Sequence, residues 1–517
     1  MVLEIAPGFP IYLYNLMFSL FILSFGYFIL ETITPWLKFS EKILYSIPTV
    51  FFWIYLLFLV NIILDGYIFD KPIIITSISF VIYSVSFLLI KEKIWIQLKN
   101  VKPDKILLIL FSLVLLIYCL PIICSRGGMV WIRGDMKTHI TFISQILLGR
   151  RVPSKSYQGI PNLYPWLFHA IMAYIANIYK SFGFNQIKSV FLAYNTIEIT
   201  NIFLGYLSLK ELAGLIFPKN KTRQRLLVLL TIFSGGLGFI FDRFGDSLIL
   251  GDIIFNHPYV SAPIFVAPVW PRHLSYTLYL CTLYTIFKLQ SKSDNFAETI
   301  LLGLLLGIGA IIQSIPYIIV SAVLGTIMLL DILKGKLNKK IFYALIISVI
   351  IISPWGIPFL ISSIKSGTAS TTVMEPIDLN IVELGITLGV IGFFLVYGLY
   401  SEWKTGFDSH KYKETVNIFS IIFIILIILS ITNSSLGMGI NFFYVPILRQ
   451  HKYWSMFYIF LAIYATIGLD KILEYMKEKH GEKITFIFKI HDYIDTYKIS
   501  FAYKQTLLML ALIILLT

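Results

Sequence analysis

The sequence predicts an all-α, polytopic integral membrane protein, and three observations carry that expectation. Hydrophobic residues make up 57% of the chain and charged residues only 14%, whereas a soluble domain needs roughly a quarter charged residues to keep its surface hydrated. Apolar runs of about 20 residues, the length a helix needs to cross the hydrocarbon layer, recur along the whole chain. Lys and Arg gather in short stretches between those runs, where the positive-inside rule puts them. The net charge of +14 is therefore read as an orientation signal, with membrane lipids and not nucleic acid as the expected surroundings.

In chain order the apolar runs cover 10–33, 43–64, 72–90, 105–124, 163–182, 189–212, 226–243 and 274–289. They continue at 297–313, 315–334, 341–363, 380–400, 415–433, 453–471 and 504–517. The first has no basic leader or small-residue cleavage site and reads as a retained helix, not a signal peptide. The last reaches only about 14 apolar residues at Thr517, short of a span, as expected of a piece of a longer protein. Cys119, Cys124 and Cys281 lie in or beside apolar runs without paired spacing and read as free thiols.

Basic clusters then orient the runs. Lys91, Lys93, Lys99, Lys102 and Lys105 mark one cytoplasmic stretch, and Lys210, Lys219, Lys221, Arg223 and Arg225 mark another. Lys334, Lys336, Lys339 and Lys340 mark a third, and 472–503 forms a cytoplasmic segment too small for a catalytic domain. An odd number of crossings must join the outer stretch after the fourth helix to the basic loop near Lys219, yet two runs lie between. The run 163–182, which opens Tyr164-Pro165 and carries His169 and Lys180, is the one expected not to cross. It reads as an amphipathic helix lying on the outer face of the membrane. One transmembrane domain over 1–517 results, with its N-terminus outside and about 13–14 transmembrane helices. Residues 125–187 form the first large extracytoplasmic segment, with juxtamembrane helices.

That segment breaks the charge rule. Arg126, Arg133, Lys137, Arg150, Arg151 and Lys155 sit where cations should be scarce, and binding an anion is the simplest reason. Contact with anionic headgroups is the plainer alternative. Arg133-Gly134-Asp135 precedes a helical pattern from Met136 to Leu148. Asp135 is read as a carboxylate base, with a simple helix cap as the competing reading. Later outer stretches end Trp270-Pro271-Arg272-His273 and Arg449-Gln450-His451-Lys452 at helix mouths. A guanidinium there can bind phosphate oxygens in pairs, or can snorkel beside Trp270 and Trp454.

His139, Tyr164, His169, His257 and Glu375 complete the candidate set as substrate-binding groups, with Asp378 a further outer carboxylate. Glu198 is an ionisable residue inside an apolar run, and so a functional candidate by its position. No histidine pair has metal-ligand spacing, so no metal or other cofactor is expected. A divalent ion between Asp135 and a second carboxylate is the unsupported alternative. The absence of a Gly-x-x-x-x-Gly-Lys-Ser/Thr loop argues against an ATP-driven pump.

Gly134-Asp135, the helix after it, and the run Tyr157-Gln158-Gly159-Ile160-Pro161-Asn162-Leu163-Tyr164-Pro165-Trp166 leading into an apolar helix form a pattern. It resembles the GT-C glycosyltransferase superfamily, and its second stretch looks most like the cell-wall galactan arabinofuranosyltransferases. The resemblance implies a GT-C-like fold and transfer of a sugar, a pentofuranose among the candidates, from a polyprenyl-phosphate donor. The acceptor would be a hydroxyl of a glycan, lipid or protein outside the cell membrane. It implies Asp135 as base, with Arg272, His273, Arg449, Lys452 and Arg133 on the lipid phosphate. The chain departs from the arabinofuranosyltransferases in lacking their extracytoplasmic C-terminal domain. It also has one acidic residue where many GT-C members have two. A transporter or flippase for a lipid-linked or anionic solute is the alternative; it would use the same arginines without a base.

Overall fold

The structure is a computed structural model. It describes residues 9–34, 36–100, 136–150, 155–157, 160–162, 165–233, 271–290, 296–335, 337–366, 394–401, 415–425 and 450–480, together with isolated positions between them. Among these, seven helices are long and apolar enough to cross a membrane. They are Phe9–Ile33, Phe39–Ile63, Pro72–Lys93, Gln186–Ile216, Pro316–Leu333, Lys339–Pro358 and Met456–Tyr475. The protein is thus helical and multi-pass in character. The runs at 105–124, 380–400 and 504–517 fall wholly or largely outside the described residues.

The chain gathers into two compact units. The first comprises Met1–Pro103, Leu110–Ser208 and Phe265–Thr372; the second comprises Asp104–Ile109, Leu209–Ile264 and Val373–Thr517. The first unit begins with α1 (Phe9–Ile33), α2 (Phe39–Ile63), the single turn α3 (Tyr67–Asp70) and α4 (Pro72–Asn100). Then come α5 (Met136–Leu147), the strands β1 (Lys155–Tyr157) and β2 (Ile160–Asn162), and α6 (Leu167–Ser181). The long α7 (Gln186–Ile216) starts in this unit and passes into the second, where α8 (Lys221–Phe233) follows it. The first unit is completed by α9 (Pro271–Gln290), α10 (Phe296–Ile312), α11 (Ser314–Leu333) and α12 (Lys339–Ser366). The second contains α13 (Gln450–His480).

Local sequence sets these boundaries. Pro72 and Pro271 open their helices at the one position where a missing N–H costs nothing. Asn185 caps α7 by accepting from Lys188 N–H at 2.9 Å, and Asn220 caps α8 from Arg223 N–H at 2.9 Å. Gly183, at φ 88°, ends α6, its N–H bonding Lys180 O at 3.0 Å. Glycines also let α10 approach α12: a Cβ on Gly303 or Gly307 would lie 2.6 Å from the Ile347 or Ile351 side chain.

Two expectations are corrected. The stretch from Lys91 to Asn100 is the end of α4 and not a loop. The helix over 163–182 is short, at 15 residues, as a non-crossing helix should be. It is not laid on a surface, however, because every residue from Leu167 to Tyr179 is buried. The reason lies in its polar side chains. Asn177 donates to Phe69 O at 2.9 Å, and Tyr179 donates to Asn15 Oδ1 at 2.8 Å. Tyr174 shares a hydrogen bond with Ser79 at 2.6 Å. Groups that read as a water-facing stripe are spent on α1, α3 and α4.

The Tyr157 stretch also holds a strand pair that an all-α reading does not foresee. β1 and β2 pair antiparallel, with Lys155 opposite Asn162, Ser156 opposite Pro161 and Tyr157 opposite Ile160.

One end of the first unit is held by charge. Lys42 Nζ lies 2.7 Å from Glu31 Oε2, with both side chains almost wholly buried, and Lys93 pairs with the other Glu31 oxygen. Beside them Lys288 bridges Glu41 at 2.6 Å and Glu298 at 2.8 Å. Tyr27 donates to Glu31 and Tyr284 to Glu41, each at 3.2 Å. Three carboxylates meet three ammonium groups, so the buried cluster is neutral as a whole. In the second unit Arg223 Nε donates to Asp470 Oδ2 at 2.6 Å, binding α8 to α13.

Candidate functional site

At the other end of α2 the chemistry changes. Phe58, 16 positions after Lys42 and so about 24 Å along the helix, meets Trp166, their ring centroids 4.6 Å apart. Trp166 is wholly buried and leads into α6. One turn of helix later His169 meets His139 of α5, with His139 Nδ1 2.9 Å from His169 Nε2. His169 is 0% exposed and His139 6%. Phe142 and Phe168 present their edges to the His169 ring at centroid distances of 5.1 and 5.5 Å. Burial, and then the neighbouring His139 ring, hold His169 well below the ordinary imidazole range. It is neutral at pH 7.

The far end of α5 is fixed by backbone. Gly149, at φ 80°, follows α5, and Gly66, at φ 86°, follows α2. A Cβ on Gly66 would lie 1.7 Å from Gly149 O, so only glycine allows the two turns to touch. The helix is therefore held at both ends, by the histidine pair and by the glycine contact.

A second polar seam runs along α7. Tyr194, Glu198 and Asn201 recur at spacings of four and three and share one face of the helix, all nearly fully buried. Tyr194 packs on Phe168, centroids 6.3 Å apart, which joins the seam to the histidine pair. Thr277 of α9 donates to Asn201 Oδ1 at 2.5 Å, and further along both helices Ser208 lies beside Cys281. The two links run in the same direction, so α7 and α9 are parallel here. Glu198 and His273 each stand one turn before the Asn201–Thr277 bond, which sets them at one level on facing helices. Among the described residues the Tyr194 hydroxyl and Asn201 Nδ2 have no hydrogen-bond partner.

Of the residues singled out in the sequence, His139, His169 and His273 are buried in this unit, and Glu198 with them. Arg272 and Lys452 are placed by backbone alone, as the second residue of α9 and the third of α13. Asp135, Arg133, Arg449, Tyr164, His257, Glu375 and Asp378 lie outside the described residues. Asp135 immediately precedes Met136, where α5 begins as its pattern requires. No family model matches the chain, and neither does any curated protein. Among the described residues no group of three or more His, Cys, Asp or Glu could hold a metal ion.

Tyr194, Asn201 and Thr277 are additions to the sequence reading. Their signal was present as polar residues at helical spacing around Glu198 within an apolar run. What the sequence could not supply was the helix that faces them.

Proposed function

We propose that this protein is a membrane glycosyltransferase of GT-C type. It moves a sugar, with a pentofuranose among the candidates, from a polyprenyl-phosphate donor to an acceptor hydroxyl on the extracytoplasmic side, with inversion. One observation carries the reading. The helix that starts directly after Gly134-Asp135 is bonded, through two buried histidines, to the short helix that follows the Tyr157–Pro165 stretch. The helices that follow the two sequence features behind the resemblance thus pack against each other.

In this reading Asp135 accepts the hydroxyl proton as the acceptor oxygen attacks the anomeric carbon, through a transition state of oxocarbenium character. The phosphate leaves as an anion and needs positive charge, not a proton. Arg272 and Arg449 provide it, with His273, Lys452 and Arg133 as further donors. The donor brings its own activation in the sugar–phosphate bond, so no nucleotide site is required.

A buried Glu198 on a membrane-length helix favours one rival, a transporter coupled to an ion or proton. Purified protein in nanodiscs, given radiolabelled polyprenyl-phosphate sugars and a panel of hydroxyl acceptors, separates the two. Label transferred to an acceptor is the expected result. Movement of intact donor across the bilayer, with no transfer, overturns the proposal in favour of the transporter.

A further inference from the structure

We propose that the cleft between α1, α2 and α10 is a binding site for one acyl chain of an anionic phospholipid, with the headgroup held at Trp36 and Lys38. The site lies within the first unit and is independent of the transfer reaction.

The cleft follows from side-chain size. Thr34, Pro48, Thr49 and Ala297 set short side chains beside the bulkier Phe52 and Trp53, and a cavity of about 400 Å³ is left between the three helices. That volume falls in the range of roughly 300–1,000 Å³ usual for ligand sites. Its floor, at Leu30, Tyr45, Leu305 and Ile308, is buried, whereas Ile33, Leu56 and Ile300 at its rim are exposed. Because α1 and α2 are of membrane-spanning length, an apolar rim of this kind opens onto hydrocarbon.

The polar groups of the lining are already used. Thr34 Oγ1 donates to Leu30 O at 2.7 Å, and Thr49 Oγ1 donates to Tyr45 O at 2.8 Å. The Tyr45 hydroxyl shares a hydrogen bond with Thr285 at 2.9 Å. A polar ligand would give up its hydration for an apolar wall. A hydrocarbon chain gives up nothing and gains dispersion contacts with three helices.

Length and charge identify the chain. Along α2 the lining runs from Tyr45 to Leu56, and along α10 from Ala297 to Ile308, about 16 Å in each case. This is close to half of the roughly 30 Å hydrocarbon layer, the depth of one leaflet. Both stretches begin at the charged end of the unit, where Glu298 follows Ala297 and Lys42 stands just before Tyr45. Trp36 lines the cleft at that end and is exposed, as an indole at headgroup level is. Two residues later Lys38 is exposed and forms no ion pair among the described residues, whereas Lys42 and Lys288 are matched by buried carboxylates. An anionic headgroup therefore meets one uncommitted cation at the mouth, and the end of the chain reaches toward Leu56 and Ile308.

Photolabelling tests the site without any variant. Full-length protein is placed in nanodiscs containing phosphatidylglycerol with a diazirine in the middle of one acyl chain. On irradiation the label should fall on 45–56 and 297–308 several-fold more than on the exposed apolar face of α4 around Phe80 and Leu88. Equal labelling of the two regions, or labelling of α4 alone, overturns the proposal. Native mass spectrometry then asks whether the lipid is held. Wild type should retain one phosphatidylglycerol, Thr49→Phe should lose it by filling the cleft, and Leu88→Phe should keep it. Lys38→Gln should weaken retention about five-fold, the effect of one cation beside an anionic headgroup. Equal retention by Thr49→Phe and wild type, no effect of Lys38→Gln, or a polyprenyl phosphate retained in place of the phospholipid would each refute the assignment. None of these outcomes depends on sugar transfer, so the two proposals fail separately.

Discussion

The two ends of α2 are built on opposite principles. Near its start, Glu41 and Lys42 are locked into a neutral set of three carboxylates and three ammonium groups drawn from α1, α2, α4, α9 and α10. Near its finish, the contacts are aromatic rings, a buried histidine pair and turns that only glycine permits. A buried charge is costly unless paired, so a fully paired cluster can do little except hold helices in register. Neutral polar groups cost less to bury and keep the capacity to gain or lose a proton. The contrast separates a clamp from a place where chemistry can happen, and both belong to one unit of the chain.

The clamp should be the easiest part to break. Lys42→Met leaves Glu31 buried, with the half-exposed Lys93 balancing its charge among the described residues, and should cost about 3–5 kcal/mol in unfolding free energy. The double change Glu31→Leu with Lys42→Met removes the stranded charge and should recover most of the loss. Denaturant unfolding in detergent reads both, and a double variant no better than the single would show that the cluster is not a clamp.

A smaller effect is expected at the glycine contact. Gly66→Ala meets both a left-handed backbone and the Gly149 carbonyl, and should cost about 1–3 kcal/mol of strain. Because the contact anchors α5, transfer activity should fall more than at Gly183→Ala, where the backbone is equally left-handed but a Cβ meets nothing. Equal losses at the two positions would deny α5 its anchor.

Smallest near neutrality, but diagnostic in sign, is the effect of pH. His169 has a folded pKa below its ordinary 6.5, so the unfolded chain binds the proton first. Its contribution to stability is therefore complete above pH 6.5 and is lost as pH falls below that value. The thermal midpoint should drop on acidification, and His169→Phe should flatten the slope. An unchanged slope in the variant would assign the acid sensitivity elsewhere.

Much of the scaffold was legible in the sequence, for physical reasons. Apolar runs of membrane length must become helices, since no other structure satisfies their backbone in hydrocarbon. The start of α5 at Met136 followed from local pattern alone. Partnership was not legible. Lys93 read as an orienting charge and is in fact a partner of Glu31. His169 read as part of a wet face and is wholly enclosed, because Asn177 and Tyr179 found partners on α1 and α3 that lie more than 100 positions away. A polar side chain announces that it needs a partner, and only the folded chain says which one. The same limit applies to Asp135, whose place before α5 follows from spacing while its surroundings do not.

The most direct test is transfer of radiolabelled sugar by Asp135→Asn protein in nanodiscs, beside wild type of matched folding and stability. The account expects turnover to fall by 100-fold or more, roughly the contribution of a positioned general base, with donor binding retained. Wild-type rates in Asp135→Asn would contradict it.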